Sequence, residues 1–138
     1  MTLTDGQNSL ITGNREMDEE HALQLQLLRE LGQSLEAGDG PAARQLFERL
    51  DHFTNEHFLA EELLMRLHSY PDYEAHVADH EQFVEGLTAL RQLLSTGGPG
   101  AVRDDADAFA RRLLAHIATA DRALGELARR AGKTALLA

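Results

Sequence analysis

Cysteine and tryptophan are both absent from this chain of 138 residues. Without cysteine it can form no disulfide, no thiolate zinc site and no catalytic thiol. Proline occurs only three times, and no long stretch alternates β-branched with polar residues, so the composition favours helices over strands. No apolar run approaches the ~18 residues that a membrane-spanning helix requires. We therefore expect an all-α protein that does not cross a membrane.

Positive charge is also scarce. Thirteen Lys and Arg residues stand against 23 Asp and Glu residues, which gives a net charge of −10. Because basic side chains hold nucleic acids and anionic membrane surfaces, this balance argues against both as partners. The first residues lack the basic and apolar segments of a secretion signal, so we expect a cytoplasmic protein. A chain of this length is expected to form one domain around a single core.

Four segments carry apolar residues at helical spacing, and together they occupy most of the chain. The predicted helices run over residues 15–37, 41–67, 73–94 and 102–131. In the first, the predicted apolar stripe comprises Leu23, Leu27, Leu28, Leu31 and Leu35. Turn-forming residues separate the helices at 38–40, at the Tyr70-Pro71 turn and at 95–100. Because these links are short, the pattern predicts an antiparallel up-down-up-down four-helix bundle.

The predicted domain organisation has three parts. Residues 1–14 are polar and form a short N-terminal arm, whose Leu10 and Ile11 are expected to cover one end of the bundle. The bundle itself spans residues 15–131, and residues 132–138 form a short C-terminal tail. We expect a monomer or a weak homo-oligomer.

The stretch from His57 to His80 contains the densest pattern of metal-ligating residues. It holds two pairs, His57 with Glu61 and His76 with His80, and each pair is spaced four residues apart. On an α-helix, residues four apart project from one face toward one point. Because the intervening turn reverses the chain, the two pairs are expected to meet. The sequence therefore predicts a metal site formed by three imidazoles and a carboxylate.

Two further pieces extend this set. His21 ends the segment MDEEH, and His116 precedes Asp121 in the segment HIATAD. Five residues of α-helix turn by ~500°, about 140° off the starting face, so Asp121 can serve beside His116 only if its carboxylate bridges two ions. Five imidazoles with two carboxylates suit a pair of first-row transition ions, iron above all, better than calcium or magnesium. One such histidine alone is more often a surface or hydrogen-bonded residue than a ligand.

The combined pattern resembles the hemerythrin family, in which a first His is followed by HxxxE, HxxxH and HxxxxD. The resemblance covers about residues 10–130. The stretch HF..EE..M, the Tyr70-Pro71 turn and the entry TGN..MDEEH are similar to bacterial members. In that family the fold is a four-helix bundle that carries two iron ions with a bridging oxo or hydroxo group.

The resemblance implies an assignment of ligands. It places His76, His80 and His116 on one iron, and His21 with His57 on the other. Glu61 and Asp121 bridge the two ions, and the second iron keeps an open position for dioxygen or another small diatomic ligand. The residues that the resemblance places around this position are Gln24, Phe58, Arg112, Leu113 and Ile117.

Two of these pocket residues depart from the family pattern. Gln24 stands where the family usually has Leu or Ile, and Arg112 stands where it usually has Trp. A pocket that admits water or donates protons should release a reduced oxygen ligand faster. The sequence leaves open whether Gln24 faces the pocket or rotates away and is replaced there by Leu25 or Leu28.

Three functional hypotheses follow. The first is a di-iron protein that binds dioxygen reversibly, for storage, delivery or sensing. Such a protein would be an oxygen-binding protein rather than an enzyme, and we expect it to be prone to autoxidation. The second is a di-iron enzyme that consumes peroxide or nitric oxide. The third is a metal-storing or metal-sensing module that signals through helix packing. The two remaining histidines, His52 and His68, are expected on the surface and at the end of the bundle, respectively.

Overall fold

The computed structural model describes residues 10–137, and it describes side chains for residues 10–131. Within this part of the chain every regular element is helical. The elements are α1 (Arg15–Glu36), α2 (Gly40–Leu67), α3 (Tyr73–Gly97), α4 (Pro99–His116), a single π-helical turn (Ile117–Asp121) and α5 (Arg122–Leu137). The π turn joins α4 to α5, so these three form the fourth helix of the bundle without a break.

The four helices form a closed ring in which each packs on two neighbours. Helix α1 contacts α2, α2 contacts α3, α3 contacts α4, and α4 returns to contact α1. Short links force successive helices to run in opposite directions. The structure therefore confirms the predicted all-α four-helix bundle.

Side chains and glycine set the boundaries of α1 and α2. Asn14 caps α1 by accepting a hydrogen bond from the backbone N–H of Met17 at 3.0 Å. Asp39 caps α2 in the same way through Ala42 at 3.1 Å. Such caps satisfy backbone donors that have no partner inside the helix. Gly38 adopts a φ of 71°, a conformation that suits glycine and ends α1 sharply.

The predicted loop at residues 95–100 is much shorter in the structure. Helix α3 continues to Gly97 and α4 begins at Pro99, so Gly98 alone links them. Gly98 has a φ of 77°, which reverses the chain within one residue. Pro99 then occupies the first turn of α4, where its missing N–H costs nothing. At the other end of the fourth helix, α5 continues to Leu137, beyond the predicted end at residue 131.

Two predictions for apolar residues were wrong. Leu23 does not belong to the buried stripe of α1, because it is 56% exposed while Gln24 beside it is 0% exposed. The rotation of α1 about its own axis in the bundle decides which of these residues is buried, and the local sequence does not determine that rotation. In the N-terminal arm, Leu10 is buried as expected, whereas Ile11 is 56% exposed. Residues 1–9 of the predicted arm lie outside the described part of the chain.

A polar layer divides the bundle core into two apolar clusters. The larger cluster includes Leu31, Phe47, Leu87 and Phe109. The smaller one consists of Met17, Met65 and Leu124, with partly buried neighbours. The polar layer consists of the buried histidines, Glu61 and Asp121, which lie along the helices between these clusters. Among the described residues, no helix is long and apolar enough to cross a membrane.

Candidate metal centre

All seven predicted ligand residues are buried in the polar layer, and every helix of the bundle supplies at least one. None of them is more than 6% exposed. The residues are His21 from α1, His57 and Glu61 from α2, His76 and His80 from α3, and His116 and Asp121 from the fourth helix. Buried imidazoles and carboxylates at this density would be costly unless they were paired or coordinated a cation.

The seven side chains form two overlapping sets of potential metal ligands. A five-residue set comprises Glu61, His76, His80, His116 and Asp121. A four-residue set comprises His21, His57, Glu61 and Asp121. Within each set, the potential ligand atoms all lie within 4.8 Å of one another. Glu61 and Asp121 belong to both sets.

The carboxylate of Glu61 divides its two oxygens between the sets. Its Oε1 lies 3.2 Å from Nε2 of His76 and 3.0 Å from Nε2 of His80. Its Oε2 lies 2.8 Å from Nε2 of His57 and 3.5 Å from Nε2 of His21. One oxygen of Glu61 therefore faces the set with three histidines, and the other oxygen faces the set with two histidines.

The carboxylate of Asp121 is divided in the same way. Its Oδ1 lies 2.9 Å from Nε2 of His76 and 3.1 Å from Nε2 of His116. Its Oδ2 lies 3.0 Å from Nε2 of His21. Two carboxylates that each present one oxygen to each set have the arrangement of bridging ligands between two ions.

The π turn explains how His116 and Asp121 come to face the same point. Across this turn the backbone N–H of Arg122 donates to the carbonyl of Ile117, five residues earlier. An α-helix would close after four residues, so the wider turn returns Asp121 to nearly the face of His116. The sequence estimate of a 140° offset assumed an unbroken α-helix and was wrong on this point. Single π turns of this kind occur frequently at functional sites.

Several polar atoms in the layer have no hydrogen-bond partner among the described residues. They include Nε2 of His21, His57 and His116, Oε2 of Glu61 and Oδ1 of Asp121. The three nitrogens lie 2.8 to 3.1 Å from a carboxylate oxygen, but the atoms are not aligned for hydrogen bonding. Cations held between these nitrogens and oxygens would satisfy all of them. The donor set therefore fits a pair of first-row transition ions.

Electrostatics in the layer favour charged side chains. Burial by itself lowers the pKa of His21, but Asp121 and Glu61 outweigh it and raise that pKa to about 9. The same balance raises the pKa of His76 to about 9. Burial by itself raises the pKa of Glu61, yet the four surrounding imidazoles hold it well below its ordinary value. Protons and metal cations therefore compete for the same nitrogens.

Three carboxylates outside the two sets contact the other ring nitrogen of a histidine. Glu62 Oε2 lies 2.9 Å from Nδ1 of His80. Asp79 Oδ2 lies 3.3 Å from Nδ1 of His116, and Glu20 Oε2 lies 3.4 Å from Nδ1 of His57. Of these contacts, the one between Glu62 and His80 is a hydrogen bond, whereas Nδ1 of His57 has no hydrogen-bond partner among the described residues. A hydrogen-bonded carboxylate fixes the orientation of a ligating imidazole and increases its basicity. Sequence analysis missed all three, because each contact runs between different helices.

The predicted pocket residues fall into two groups. Gln24, Phe58, Leu113 and Ile117 are buried, with at most 3% of each residue exposed. Phe58 stacks on His80, with ring centroids 3.8 Å apart and an interplanar angle of 5°. Arg112, by contrast, is exposed on the surface of α4 and does not lie in the buried layer. Arg112 lines a surface cavity together with Phe83 and His116, so its pocket role stays a prediction.

Gln24 remains inside the bundle. It is 0% exposed, and its Nε2 donates to Oγ1 of buried Thr54 at 3.0 Å. Gln24 therefore does not turn out to solvent, but Leu25 and Leu28 are buried as well, so its place in the pocket stays a prediction. His52 is exposed and His68 is half-buried at the end of α2, as expected.

The family described as Hemerythrin HHE cation binding domain matches residues 12–128. This chain belongs to that family. A hemerythrin domain is thus the structural context of the two ligand sets. The match covers all seven candidate ligands and the π turn.

Individual hemerythrin relatives support the same assignment. A myohemerythrin from Theromyzon tessulatum is 32% identical over 79 residues, which span 57% of this chain and 61% of that protein. Two crystal structures, one of a hemerythrin variant with a leucine replaced by tyrosine and one of a variant with a leucine replaced by phenylalanine, each superpose with a TM-score of 0.77. At 22% identity they cover 85% of this chain and 89% of their own. This second likeness concerns the fold.

Proposed function

We propose that this hemerythrin domain holds two iron ions and binds dioxygen, or another small diatomic ligand, reversibly beside the four-residue set. The observation that carries the proposal is the division of both bridging carboxylates between two histidine sets of unequal size. His76, His80 and His116 face one pair of oxygens, and His21 with His57 face the other. The smaller set has one protein ligand fewer, which leaves room for an exogenous ligand on that side.

Iron is the metal that we assign to both sets. Imidazole and carboxylate ligands suit first-row transition ions, and bridging carboxylates suit a closely spaced pair. When bound, the iron pair would supply the electrons needed for reversible binding of dioxygen. A bridging oxo or hydroxo group would complete the centre.

The protein residues have separate roles in this proposal. Glu61 and Asp121 would hold both ions, because they belong to both ligand sets. The outer carboxylate of Glu62 would orient His80 through its Nδ1 atom. Glu20 and Asp79 would add negative charge close to His57 and His116. Apolar side chains exclude water from the layer and thereby slow proton delivery to the bound ligand. These side chains are Phe58, Leu113 and Ile117.

A second candidate function is a di-iron enzyme that consumes peroxide or nitric oxide. The buried polar side chain of Gln24, three residues from His21, favours it because a pure oxygen carrier benefits from an apolar pocket. Reversible loading with oxygen would support the carrier, whereas sustained turnover of peroxide or nitric oxide would support the enzyme. A cytoplasmic location and a monomeric or weakly oligomeric state remain predictions.

An anaerobic-to-aerobic optical titration of the iron-loaded protein tests the proposal, with iron counted per chain. We expect two irons and a visible charge-transfer band that appears with oxygen and disappears when oxygen is removed. Irreversible conversion to the diferric spectrum would move the assignment to the enzyme. Fewer than two irons per chain would overturn the two-set assignment itself.

A matched pair of variants tests, through the iron content, whether His57 is a ligand. His57→Ala removes a histidine of the four-residue set and is expected to reduce the bound iron to about one ion per chain. His52→Ala removes an exposed histidine of the same helix and should leave two irons. Equal iron content in the two variants would contradict a ligand role for His57.

A further inference from the structure

A hydrogen-bonded pair of polar side chains, Gln24 and Thr54, is buried in the bundle core next to the four-residue set. Gln24 is 0% exposed and Thr54 is 1% exposed. Gln24 Nε2 donates to Thr54 Oγ1 at 3.0 Å, across the interface between α1 and α2. Neither side chain belongs to either ligand set.

The pair lies one helical turn from the histidines of the four-residue set. Gln24 follows His21 by three residues on α1, and Thr54 precedes His57 by three residues on α2. Three residues advance ~4.5 Å along a helix and share one face. Because α1 and α2 run in opposite directions, both steps lead the same way, toward the larger apolar cluster. The ring centroids of His21 and His57 are 4.8 Å apart, so the two rings and the two polar side chains both join α1 to α2.

The hydrogen bond between them leaves Gln24 incompletely satisfied. Its Oε1 is buried and has no hydrogen-bond partner among the described residues. Rotating the amide by 180° would pair Oε1 with the Thr54 hydroxyl and leave the amide NH₂ group without a partner instead. In either orientation one polar atom of Gln24 is free in an apolar environment. Such an atom is costly to bury and indicates a missing partner.

We propose that Gln24 and Thr54 form a hydrogen-bonding subsite for the outer end of a small anion bound at the four-residue set. The anion class is linear or bent and two to three atoms long, as azide and hydroperoxide are. An anion of that length, bound beside His21 and His57, would span most of one helical turn and bring its outer atom to the amide. The hydrogen bond would then run from an amide N–H of Gln24 to the anion, because the oxygen Oε1 can only accept and azide has no hydrogen to donate. This inference rests on the proposed function, because it requires metal in the four-residue set.

The subsite has a consequence for selectivity. An anion with a hydrogen-bonding end gains a contact with Gln24 that a neutral diatomic such as nitric oxide cannot match. Thr54 anchors the amide, so its loss should weaken the contact without abolishing it. The pair of Gln24 and Thr54 should therefore favour small anions with a hydrogen-bonding end over nitric oxide.

Azide binding to the diferric protein tests this inference. One hydrogen bond corresponds to about a tenfold change in affinity, so Gln24→Leu should raise the azide Kd about tenfold. Thr54→Val should raise it by a smaller factor, and the double variant should fall short of the product of the two effects. Nitric oxide binding to the diferrous protein should change less than threefold in each variant. The matched control Gln26→Leu makes the same replacement at an exposed position of α1 and should leave both affinities unchanged.

Thermal unfolding of the metal-free variants provides a readout that does not depend on iron. Gln24→Leu removes a buried unsatisfied atom but also takes the hydrogen-bond partner from Thr54 Oγ1. It should therefore unfold at a lower temperature than the double variant Gln24→Leu/Thr54→Val, which removes both polar groups. If that variant does not fold, Thr54→Val still carries the test. Unchanged azide affinity in variants that hold two irons would overturn the subsite alone. A wild-type protein that binds no iron would overturn both the subsite and the proposed function.

Discussion

His116 and Asp121 are five residues apart in the sequence, yet His116 Nε2 lies 3.1 Å from Asp121 Oδ1. In a regular α-helix these side chains would point to different faces. The π turn over Ile117–Asp121 inserts one additional residue into the helical turn and restores a common face. Asp121 can therefore bridge both ligand sets while Leu124 continues the buried face of α5.

Deletion of Thr119 tests the role of this turn. Thr119 is exposed, and removing it places the aspartate four residues after the histidine, the spacing that a regular helix accommodates. Because the π turn contains one residue more than an α-helical turn, the deletion should convert it to a regular α-helical turn. The buried face of α5 should then keep its position against the other helices, and the metal-free fold should persist. Iron content should stay close to that of the wild type, since four residues of regular helix advance ~6 Å and return the carboxylate to the face of the histidine.

Circular dichroism and iron analysis measure the two effects separately. Thr119→Ala retains the chain length and is the control, with helix content and iron content both expected to be unchanged. Global unfolding of the deletion variant would refute the view that the extra residue is absorbed locally.

Metal removal should destabilise the domain strongly. Each ion present at a hundredfold excess over its Kd stabilises the folded state by ~2.7 kcal/mol. For a domain of this size, two ions should raise the Tm by at least ~10 °C. Differential scanning calorimetry of the loaded and chelated protein measures the difference, and anaerobic reloading with ferrous iron should restore the higher value. Equal melting temperatures would contradict metal binding in the polar layer.

The metal-free domain should lose stability on both sides of a window of pH. His21 and His76 have pKa values raised from 6.5 to about 9, so their contribution is fully present below pH 6.5 and is lost as the pH rises through 9. Glu61 has its pKa lowered below 4.5, so its contribution is present above that value and is lost as the pH falls below it. The highest stability is expected between pH 4.5 and 6.5.

Urea unfolding of the chelated protein across this range tests the window. A free energy of unfolding that rises steadily from pH 6.5 to 9 would contradict protonated histidines in the metal-free layer. Loading with iron should remove the loss above pH 6.5, because the metal replaces the protons on the imidazoles.

Gly125 on α5 has no room for a side chain, because the N-terminal arm crosses it. A Cβ at this position would lie 2.5 Å from Cβ of Thr12 and 2.9 Å from its backbone oxygen. Thr12 is held there by Asp18, which accepts hydrogen bonds of 2.8 Å from both its backbone N–H and its hydroxyl. Gly125→Ala should therefore displace the arm and destabilise the fold by about 1–3 kcal/mol.

Gly32→Ala is the matched control for this substitution. It makes the same change inside α1, where a Cβ meets no atom within 4 Å. There alanine should stabilise the fold by about 0.5–1 kcal/mol through helix propensity. Opposite signs of the two effects in urea unfolding are the expected result. If both glycines gave the same sign, the arm would not be packed on α5 as described.

Gln24→Leu should also slow autoxidation of the oxygen-loaded protein. The polar amide beside the four-residue set can hold water close to the bound ligand, and proton delivery promotes its release in reduced form. Stopped-flow traces of the diferrous protein mixed with oxygen measure the rate at which the diferric spectrum appears. An unchanged or faster rate of autoxidation in Gln24→Leu would contradict this hypothesis.

The sequence by itself determined the four helices and the residues that meet in the polar layer. The pairs His57 with Glu61 and His76 with His80 follow from the helical repeat, which puts residues four apart on one face whatever the neighbouring helices do. Turn-forming residues then bring these faces together, so helical periodicity and chain reversal suffice to locate them.

Only the tertiary structure decided the features that depend on packing between helices. The contacts of Glu62 with His80 and of Gln24 with Thr54 join different helices, and their geometry depends on how far each helix is rotated about its axis. The exposure of Leu23 and of Arg112 depends on the same rotation. The π turn belongs here as well, because Asp121 reaches both ligand sets only when the fourth helix accommodates one additional residue. Side-chain periodicity fixes which residues share a face, whereas the packing of four helices together fixes where that face points.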